Sequence, residues 1–572
     1  MKFKQIALAC FIPTLLLNSV AFAAQTQKPN ILLIVADDLG FSDTEPFGGE
    51  IHTPNLKKLA TQGAVLSNFY AGPTCSVTRS MLLTGNDNHQ AGIGSMSEFL
   101  QPEQKGKPGY EGRLNDKVIT IAEVLKQNGY ATFMAGKWHL GGTPESIPSA
   151  RGFSNSFALL QGGAAHFDSS PMFPGNYKAR YLNNGKEEAL PEKFYSSDFY
   201  TDKMISYLKD HREKNQPFFA YLAYTAPHWP LQAPDQYLKK YEHAYTEGYD
   251  KIREARFKKL LKLGVIPANA KINDPLLGVF KNWNQLNAQQ KAEQVKTMQV
   301  YAAMIDNLDH NIGRVLNYLQ STKDLDNTVV LFMSDNGAES ASPESLGTTE
   351  DKEGIAAWVN ENFDNRLENM GKKGSYVTLG PQWAQVASTP LPYFKSFLAD
   401  GGIHVPAIIR YPKMVKANSV QKNLLHVSDF VPTVLELTET TRPTTNGNQT
   451  LIPMQGQSFI SVFKGKTLPE RAIGWEFNNK KSLYKGDWSI RFEEPPYGTG
   501  QWELYNRKDD PTLKQSIATQ YPKKLNELVK DWEAYAQRVG VVSAPVRYRY
   551  GQMNCFYGKC IGPEEIKNLS NP

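Results

Sequence analysis

Two stretches of the chain are apolar and largely β-branched from end to end, and both stop on acids. Asn30-Ile31-Leu32-Leu33-Ile34-Val35-Ala36 runs into Asp37-Asp38-Leu39-Gly40, and Asn327-Thr328-Val329-Val330-Leu331-Phe332-Met333-Ser334 runs into Asp335-Asn336-Gly337. A strand without polar alternation is buried on both faces, as at the centre of a parallel sheet covered by helices. Open α/β sheets place their ligands beyond the carboxyl ends of such strands, so both acidic turns are expected at one edge. Adjacent carboxylates repel, and a cation relieves them. Asp37, Asp38, Asp335 and Asn336 together would form an all-oxygen set that suits Ca²⁺ or Mg²⁺ rather than zinc.

The punctuation between these runs supports an alternating α/β chain. Thr53 can cap a helix with Pro54 at its first position and Gly63 at its end. Thr120-Ile121-Ala122-Glu123 reads as a capping box, Gly129 as a stop, and Tyr130 to Ala135 as the next strand. The segment from Tyr241 to about Ala303 is charged and helical in pattern, and a helix through Met304, Leu308, Ile312 and Leu316 precedes the second acidic strand. Residues 339–390 form a polar excursion carrying Trp358, Phe363 and Trp383. Beyond Lys464 short aromatic strands follow (Arg471 to Phe477, Lys481 to Tyr484, Trp488 to Phe492, Trp502 to Tyr505), then a helix from about Lys523 to Val539. With 572 residues, one core is too few. The expected fold is a large doubly wound mixed α/β sheet flanked by helices over 24–465, with a smaller antiparallel sheet-plus-helix domain over 466–572.

Residues 1–23 read as an export leader: Lys2 and Lys4, an apolar stretch from Ile6 to Val20, and the small-x-small site Ala21-Phe22-Ala23. The expected destination is outside the cytoplasm, the periplasm in a bacterial cell, with no stable membrane association. In that setting Cys555 and Cys560 read as a disulfide loop and Cys75 as an unpaired thiol. Net charge is +6, from 63 basic and 57 acidic residues without a basic run, which gives no footing for nucleic acid.

Cys75 sits after small residues at what reads as the first turn of a helix, and Arg79, four positions on, shares its face. The helix N-terminus adds positive potential there. Alone, such a cysteine packs as a small hydrophobe. Its companions argue otherwise. Lys137 and His139 follow a strand and, in extended chain, would point to one side. His228 stands in Pro227-His228-Trp229-Pro230 after the apolar run Phe218 to Tyr224, held by proline on either side. Lys395 precedes Asp400-Gly401-Gly402-Ile403-His404-Val405-Pro406.

These segments, in this order, resemble the sulfatase family of the alkaline phosphatase superfamily, and within it the bacterial arylsulfatases. The likeness is carried by Pro29 to Gly40, Thr53-Pro54-Asn55-Leu56, Cys75-x-x-x-Arg79 with Leu83-Thr84-Gly85, Gly136-Lys137-Trp138-His139, Pro227-His228-x-Pro230-Leu231-Gln232, Ser334-Asp335-Asn336-Gly337 and Gly401-Gly402-Ile403-x-Val405-Pro406. The resemblance implies hydrolysis of small-molecule sulfate monoesters to alcohol or phenol plus sulfate. It implies that a formylglycine-generating maturase converts Cys75 to formylglycine (3-oxoalanine), whose hydrate is a gem-diol. One hydroxyl takes up sulfate, and deprotonation of the other expels it, dividing one hard step into two. Asp37, Asp38, Asp335 and Asn336, with converted Cys75 beside them, match the family's divalent-metal site, Ca²⁺ ahead of Mg²⁺. Arg79 and Lys137 match residues that steady the formylglycine and neutralise sulfate oxygens. His139 matches the base of the elimination, and His228 and Lys395 match the pair that faces the leaving group.

The chain departs from the family pattern in three places. Val77 stands where the signature has proline, inside the segment the maturase reads, and Asp400 and His404 replace the usual Glu and Arg. Two other readings share much of this chemistry: a phosphonate or phosphate ester hydrolase of the same superfamily, and a sulfated-ligand-binding protein never matured at Cys75.

Overall fold

In the computed structural model, residues 28–545 are described apart from 176, 215, 274–281, 348–353 and 496, with 213 and the short strands Cys555–Phe556 and Lys559–Cys560 described as backbone only. The leader at 1–23 lies outside the described residues. So do the Cys555 and Cys560 side chains, although the two residues are direct backbone partners in an antiparallel pair.

Ten strands make one mixed sheet, in the order Ser419–Gln421, Ala64–Leu66, Ala407–Arg410, Thr328–Ser334, Asn30–Ala36, Phe218–Ala223, Ala131–Lys137, Asn155–Leu159, Tyr181–Asn183 and Lys186–Glu187. The five from Thr328–Ser334 to Asn155–Leu159 are parallel, with an antiparallel neighbour on either side. Asn30–Ala36 is buried along its whole length, and its side chains divide between two cores. Leu32, Ile34 and Ala36 face Leu56, Tyr200, Met204, Met304 and Leu308, whereas Ile31, Leu33 and Val35 face Val77, Leu82, Val124 and Val434. Helices thus cover both faces, which is why the run needs no polar alternation.

Register carries the chemistry. Ala36 lies beside Ser334, Val35 beside Ala223, and Gly136 beside Ala223. The chain therefore leaves all four strands at one edge, delivering Asp37, Asp335, Lys137 and the turn to His228 to the same place.

The capping box at Thr120 forms as expected, with Glu123 N–H donating to Thr120 Oγ1 and Thr120 N–H donating to the Glu123 carboxylate. Thr53 behaves differently. Its hydroxyl accepts from the Glu45 N–H, and the helix Pro54–Gln62 is capped instead by the Asp309 carboxylate, at 3.0 Å from Asn55 N and 2.8 Å from Leu56 N. Asp309 belongs to a helix that runs unbroken over Ala288–Ser321, so the end of the side segment and the helix through Met304 share one element, while Tyr249–Leu263 forms a separate helix. The strand expected over 130–135 runs from Ala131 to Lys137, which makes Lys137 its last residue.

The C-terminal part is a four-stranded antiparallel sheet of Ala472–Phe477, Lys480–Lys485, Trp488–Phe492 and Trp502–Asn506, backed by the helix Pro522–Val539. Leu528, Trp532, Tyr535 and Val539 pack on Leu483, Ile490 and Leu504. Asp400 and His404 serve the joint between the two parts. Asp400 accepts from the hydroxyls of Tyr70 and Tyr484, and His404 stacks on Tyr70 at 4.6 Å while donating from Nε2 to Ser67 O. No helix among the described residues is long and apolar enough to cross a membrane.

Candidate active site

The helix Cys75–Thr84 starts at the carboxyl edge of the sheet, and every one of its residues is buried. Gly85 ends it in a left-handed conformation at φ 70°. Cys75 Sγ donates to Asp37 Oδ1 at 3.4 Å and lies 3.9 Å from Asp38 Oδ1. Burial, and next the Asp37 charge, push the thiol well above its ordinary value. As a thiol this group is neutral and a poor nucleophile.

Three cations converge on the carboxylates around it. Arg79 donates from Nε (3.0 Å) and Nη2 (2.7 Å) to Asp335 Oδ2, and from Nη1 to Lys137 O and the Tyr221 hydroxyl. Lys137 Nζ donates to Asp37 Oδ2 at 2.6 Å. Lys395 Nζ lies 2.8 Å from Asp38 Oδ1 and 2.9 Å from Glu339 Oε2. Four carboxylates thus share three buried cations, an imbalance toward negative charge. Asp38 follows its strand in a left-handed turn at φ 65°. Burial and the charges of Asp37, Glu339 and Asp335 overcome Lys395 and push Asp38 up to about 8. At Asp37 burial works in the same sense, but Lys137, His228 and Arg79 outweigh it and hold the carboxyl well below the ordinary range.

This cluster has the character of a cation site. Ligand atoms of Asp37, Asp38, Cys75 and His228 lie within 4.8 Å of one another. Asp335 Oδ1 accepts from the Asp38 N–H at 3.3 Å, and Asn336 Nδ2 donates to Asp38 Oδ1 at 2.7 Å. Asn336 Oδ1 is buried without a hydrogen-bond partner among the described residues. A buried amide oxygen left unpaired beside three carboxylates is what a hard cation with oxygen ligands would satisfy. The oxygen set of Asp37, Asp38, Asp335 and Asn336 fits such an ion better than the set containing Cys75 and His228, since sulfur and imidazole favour softer metals.

His228 carries its proton on Nδ1, which donates to the Trp229 carbonyl at 2.6 Å, and turns Nε2 toward Asp38 Oδ2 at 3.5 Å. Burial drives it well below its ordinary value, so the imidazole is neutral. His166 holds the backbone here by donating from Nε2 to His228 O, while its Nδ1 accepts from Ser196 Oγ. Trp229 packs against Phe173 and Tyr376, and Tyr376 against Trp358 and Phe363, so part of the 339–390 excursion walls the His228 side. Trp383 lies elsewhere, packed with Tyr249.

The structure thus gathers Asp37, Asp38, Cys75, Arg79, Lys137, His228, Asp335, Asn336 and Lys395. The extended chain expected through His139 stops short of it: the strand ends at Lys137, and His139 adopts φ 55°. Lys137 reaches Asp37, whereas His139 Nε2 meets Glu98 Oε1 at 3.2 Å. Glu98, Glu339, His166 and Tyr221 went unread in the sequence. Glu339 follows the Asp335-Asn336-Gly337 motif closely enough to have been considered; the others carry no local signal.

The chain matches the family model described as Sulfatase over residues 29–440 and the model described as N-sulphoglucosamine sulphohydrolase, C-terminal, over 392–535. It is 44% identical over 538 residues to an uncharacterised sulfatase of Schizosaccharomyces pombe, covering 91% of this chain and 96% of that protein. It is 40% identical over 464 residues to an arylsulfatase of Klebsiella aerogenes, covering 80% of this chain and 97% of that protein. Among solved structures, Ps i-CgsB in complex with k-i-k-neocarrahexaose shares the fold, with a TM-score of 0.63 at 22% identity over 96% of this chain and 98% of that one. The extent of the family match and the identity to full-length relatives agree with the strand-edge cluster of acids and cations: the chain belongs to the sulfatase family and is a sulfuric ester hydrolase.

Proposed function

We propose that the protein hydrolyses aryl sulfate monoesters, with Cys75 converted to formylglycine and Ca²⁺ held by Asp37, Asp38, Asp335 and Asn336. The observation that carries this reading is the environment of Cys75, a buried thiol donating to Asp37 amid Arg79, Lys137 and Lys395. Its acidity is suppressed where a nucleophile is required, so the position makes chemical sense once the thiol has been replaced. The formylglycine hydrate would supply the attacking hydroxyl, and the ion would draw negative charge from the sulfate oxygens.

The protein's own groups supply the rest. Arg79 and Lys137 neutralise charge at the helix N-terminus, where an anion is favoured. Lys395 and His228 flank Asp38 and would serve as proton donors to the leaving oxygen. His228 must first gain a proton on Nε2, which an arriving sulfate anion favours. His139, whose Nδ1 has no partner among the described residues, is the base for the second half of the reaction. The aromatic wall of Trp229, Phe173 and Tyr376 supports a flat leaving group. The leader reading of residues 1–23 supports export to the periplasm, where the Cys555–Cys560 pair would be oxidised.

Peptide mass spectrometry of the Cys75 segment, on protein purified from its export route, tests the mechanism. An aldehyde or its hydrate at position 75 is expected; an intact thiol in fully active protein sinks it. Comparing matched aryl sulfate and aryl phosphate esters then tests the substrate, with the sulfate expected to turn over faster.

A further inference from the structure

Glu98 lies in a short 3₁₀ turn, Ser97–Phe99, far in sequence from every residue assigned a role above. Its carboxylate reaches His139, with Oε1 at 3.2 Å and Oε2 at 3.4 Å from Nε2, and Ser97 Oγ donates to Oε2 at 3.0 Å. The carboxyl side chain is one-third exposed, while the imidazole is 8% exposed. Burial disfavours ionisation of Glu98, but the charge and hydrogen bond of His139 outweigh it and take the carboxyl down to about 2. At neutral pH Glu98 is therefore an acceptor only.

The other ring nitrogen, Nδ1, is buried and has no hydrogen-bond partner among the described residues. The ring is also held in place sterically. A Cβ on Gly162 would lie 2.7 Å from His139 Cε1, and one on Gly163 would lie 3.4 Å from His228 Cε1, so a bare glycine pair runs beside both imidazoles. His139 N donates to Leu160 O at 3.2 Å, which fixes the left-handed residue that aims the ring.

We propose that Glu98 is a positioning residue that fixes the His139 tautomer, holding the proton on Nε2 and leaving Nδ1 as a bare lone pair turned away from the carboxylate. An imidazole with one nitrogen bonded to a carboxylate oxygen has its proton there, and its remaining nitrogen is the acceptor. The same carboxylate stabilises the imidazolium formed when Nδ1 takes a proton. This rests on the reading of His139 as the base of the elimination step, and adds to it the group that sets its protonation state.

Two measurements on Glu98→Gln test it, and they fail separately. In the unmatured protein, still Cys75, ¹⁵N NMR of the imidazoles, assigned with His139→Gln, should show His139 as the Nε2–H tautomer in the wild type. In Glu98→Gln that preference should be lost, because the amide can donate as well as accept. An Nδ1–H tautomer in the wild type, or an unchanged tautomer in Glu98→Gln, overturns the proposal. In the matured enzyme, Glu98→Gln should lower kcat roughly tenfold to hundredfold with KM within about twofold, part of the 10²–10⁴ that general-base catalysis supplies. Glu98→Asp should recover part of the loss, and Glu98→Gln combined with His139→Ala should be no worse than His139→Ala alone. If His139→Ala disables the enzyme while Glu98→Gln keeps full kcat, the positioning role is wrong and the base stands. If His139→Ala keeps full kcat, the base reading fails, and the NMR result alone decides what Glu98 does to the tautomer.

Discussion

Arg79 Nη2 lies 2.7 Å from Asp335 Oδ2, with both side chains wholly buried, and this pair ties the helix that begins at Cys75 to the end of the strand Thr328–Ser334. The guanidinium also reaches the Lys137 carbonyl and the Tyr221 hydroxyl, so one side chain links three parts of the sheet edge. Arg79→Ala should destabilise the protein by about 3–5 kcal/mol, because Asp335 would keep a buried charge without its partner. Arg79→Lys retains the charge but loses the fork, and should lower kcat about 100-fold or more with a smaller stability loss. Denaturant unfolding of both variants alongside aryl sulfate turnover separates the two effects; full kcat in Arg79→Lys contradicts the role given to the fork.

Removal of divalent cation should abolish turnover and lower the unfolding temperature. Asp37, Asp38 and Asp335 stand together, and Asn336 Oδ1 has no hydrogen-bond partner among the described residues. Returning Ca²⁺ at about a hundred times its Kd should restore about 2.7 kcal/mol of stability. Asn336→Ala should weaken the Ca²⁺ response, and calorimetry in the presence and absence of chelator measures it. A protein whose unfolding ignores the chelator has no such ion.

The Trp229 ring lies tilted beside His228 at 5.0 Å and against Tyr376 at 5.7 Å. Trp229→Leu should raise KM for an aryl sulfate by about 2–12-fold, the worth of an aromatic contact at about 0.5–1.5 kcal/mol. A short alkyl sulfate should be affected less. Equal changes for both substrates would remove the aromatic wall from substrate selection.

His89 gives stability a pH dependence of its own. Its Nδ1 lies 2.9 Å from Asp87 and its Nε2 3.4 Å from Glu476, in the strand Ala472–Phe477, while Tyr535 of the C-terminal helix donates to Asp87. Burial opposes the charged imidazole, yet the two carboxylates raise it to about 9 from 6.5. The charged form is favoured in the folded state, so its contribution is complete below about 6.5 and is lost as pH rises toward 9. That range corresponds to about 3 kcal/mol. The same interaction, against the opposing effect of burial, lowers Asp87. Unfolding free energy measured from pH 6 to 9.5 should fall across this window, and His89→Gln should flatten the fall while loosening the C-terminal sheet.

Much of the site was legible because its parts sit at strand ends. Asp37 and Asp335 follow apolar runs whose continuity already implied central parallel strands, and register then forced them together. His228 and Lys395 were found by motif, and the structure adds what motifs omit, namely that both flank Asp38. His139 shows the limit. Spacing predicts extended chain through His139, but the residue is left-handed and meets Glu98, and backbone handedness at one non-glycine residue leaves no trace in periodicity.

The sequence by itself determined the strands, the acidic strand ends and the family, since these depend on runs of neighbouring residues and on motifs kept in order. Only the tertiary structure decided which charges neutralise which. Arg79 with Asp335, Lys395 with Glu339, His139 with Glu98 and His89 with Glu476 are pairs distant along the chain. Each is selected by burial, because a charge withdrawn from water must find its partner in whatever the fold brings within hydrogen-bonding distance.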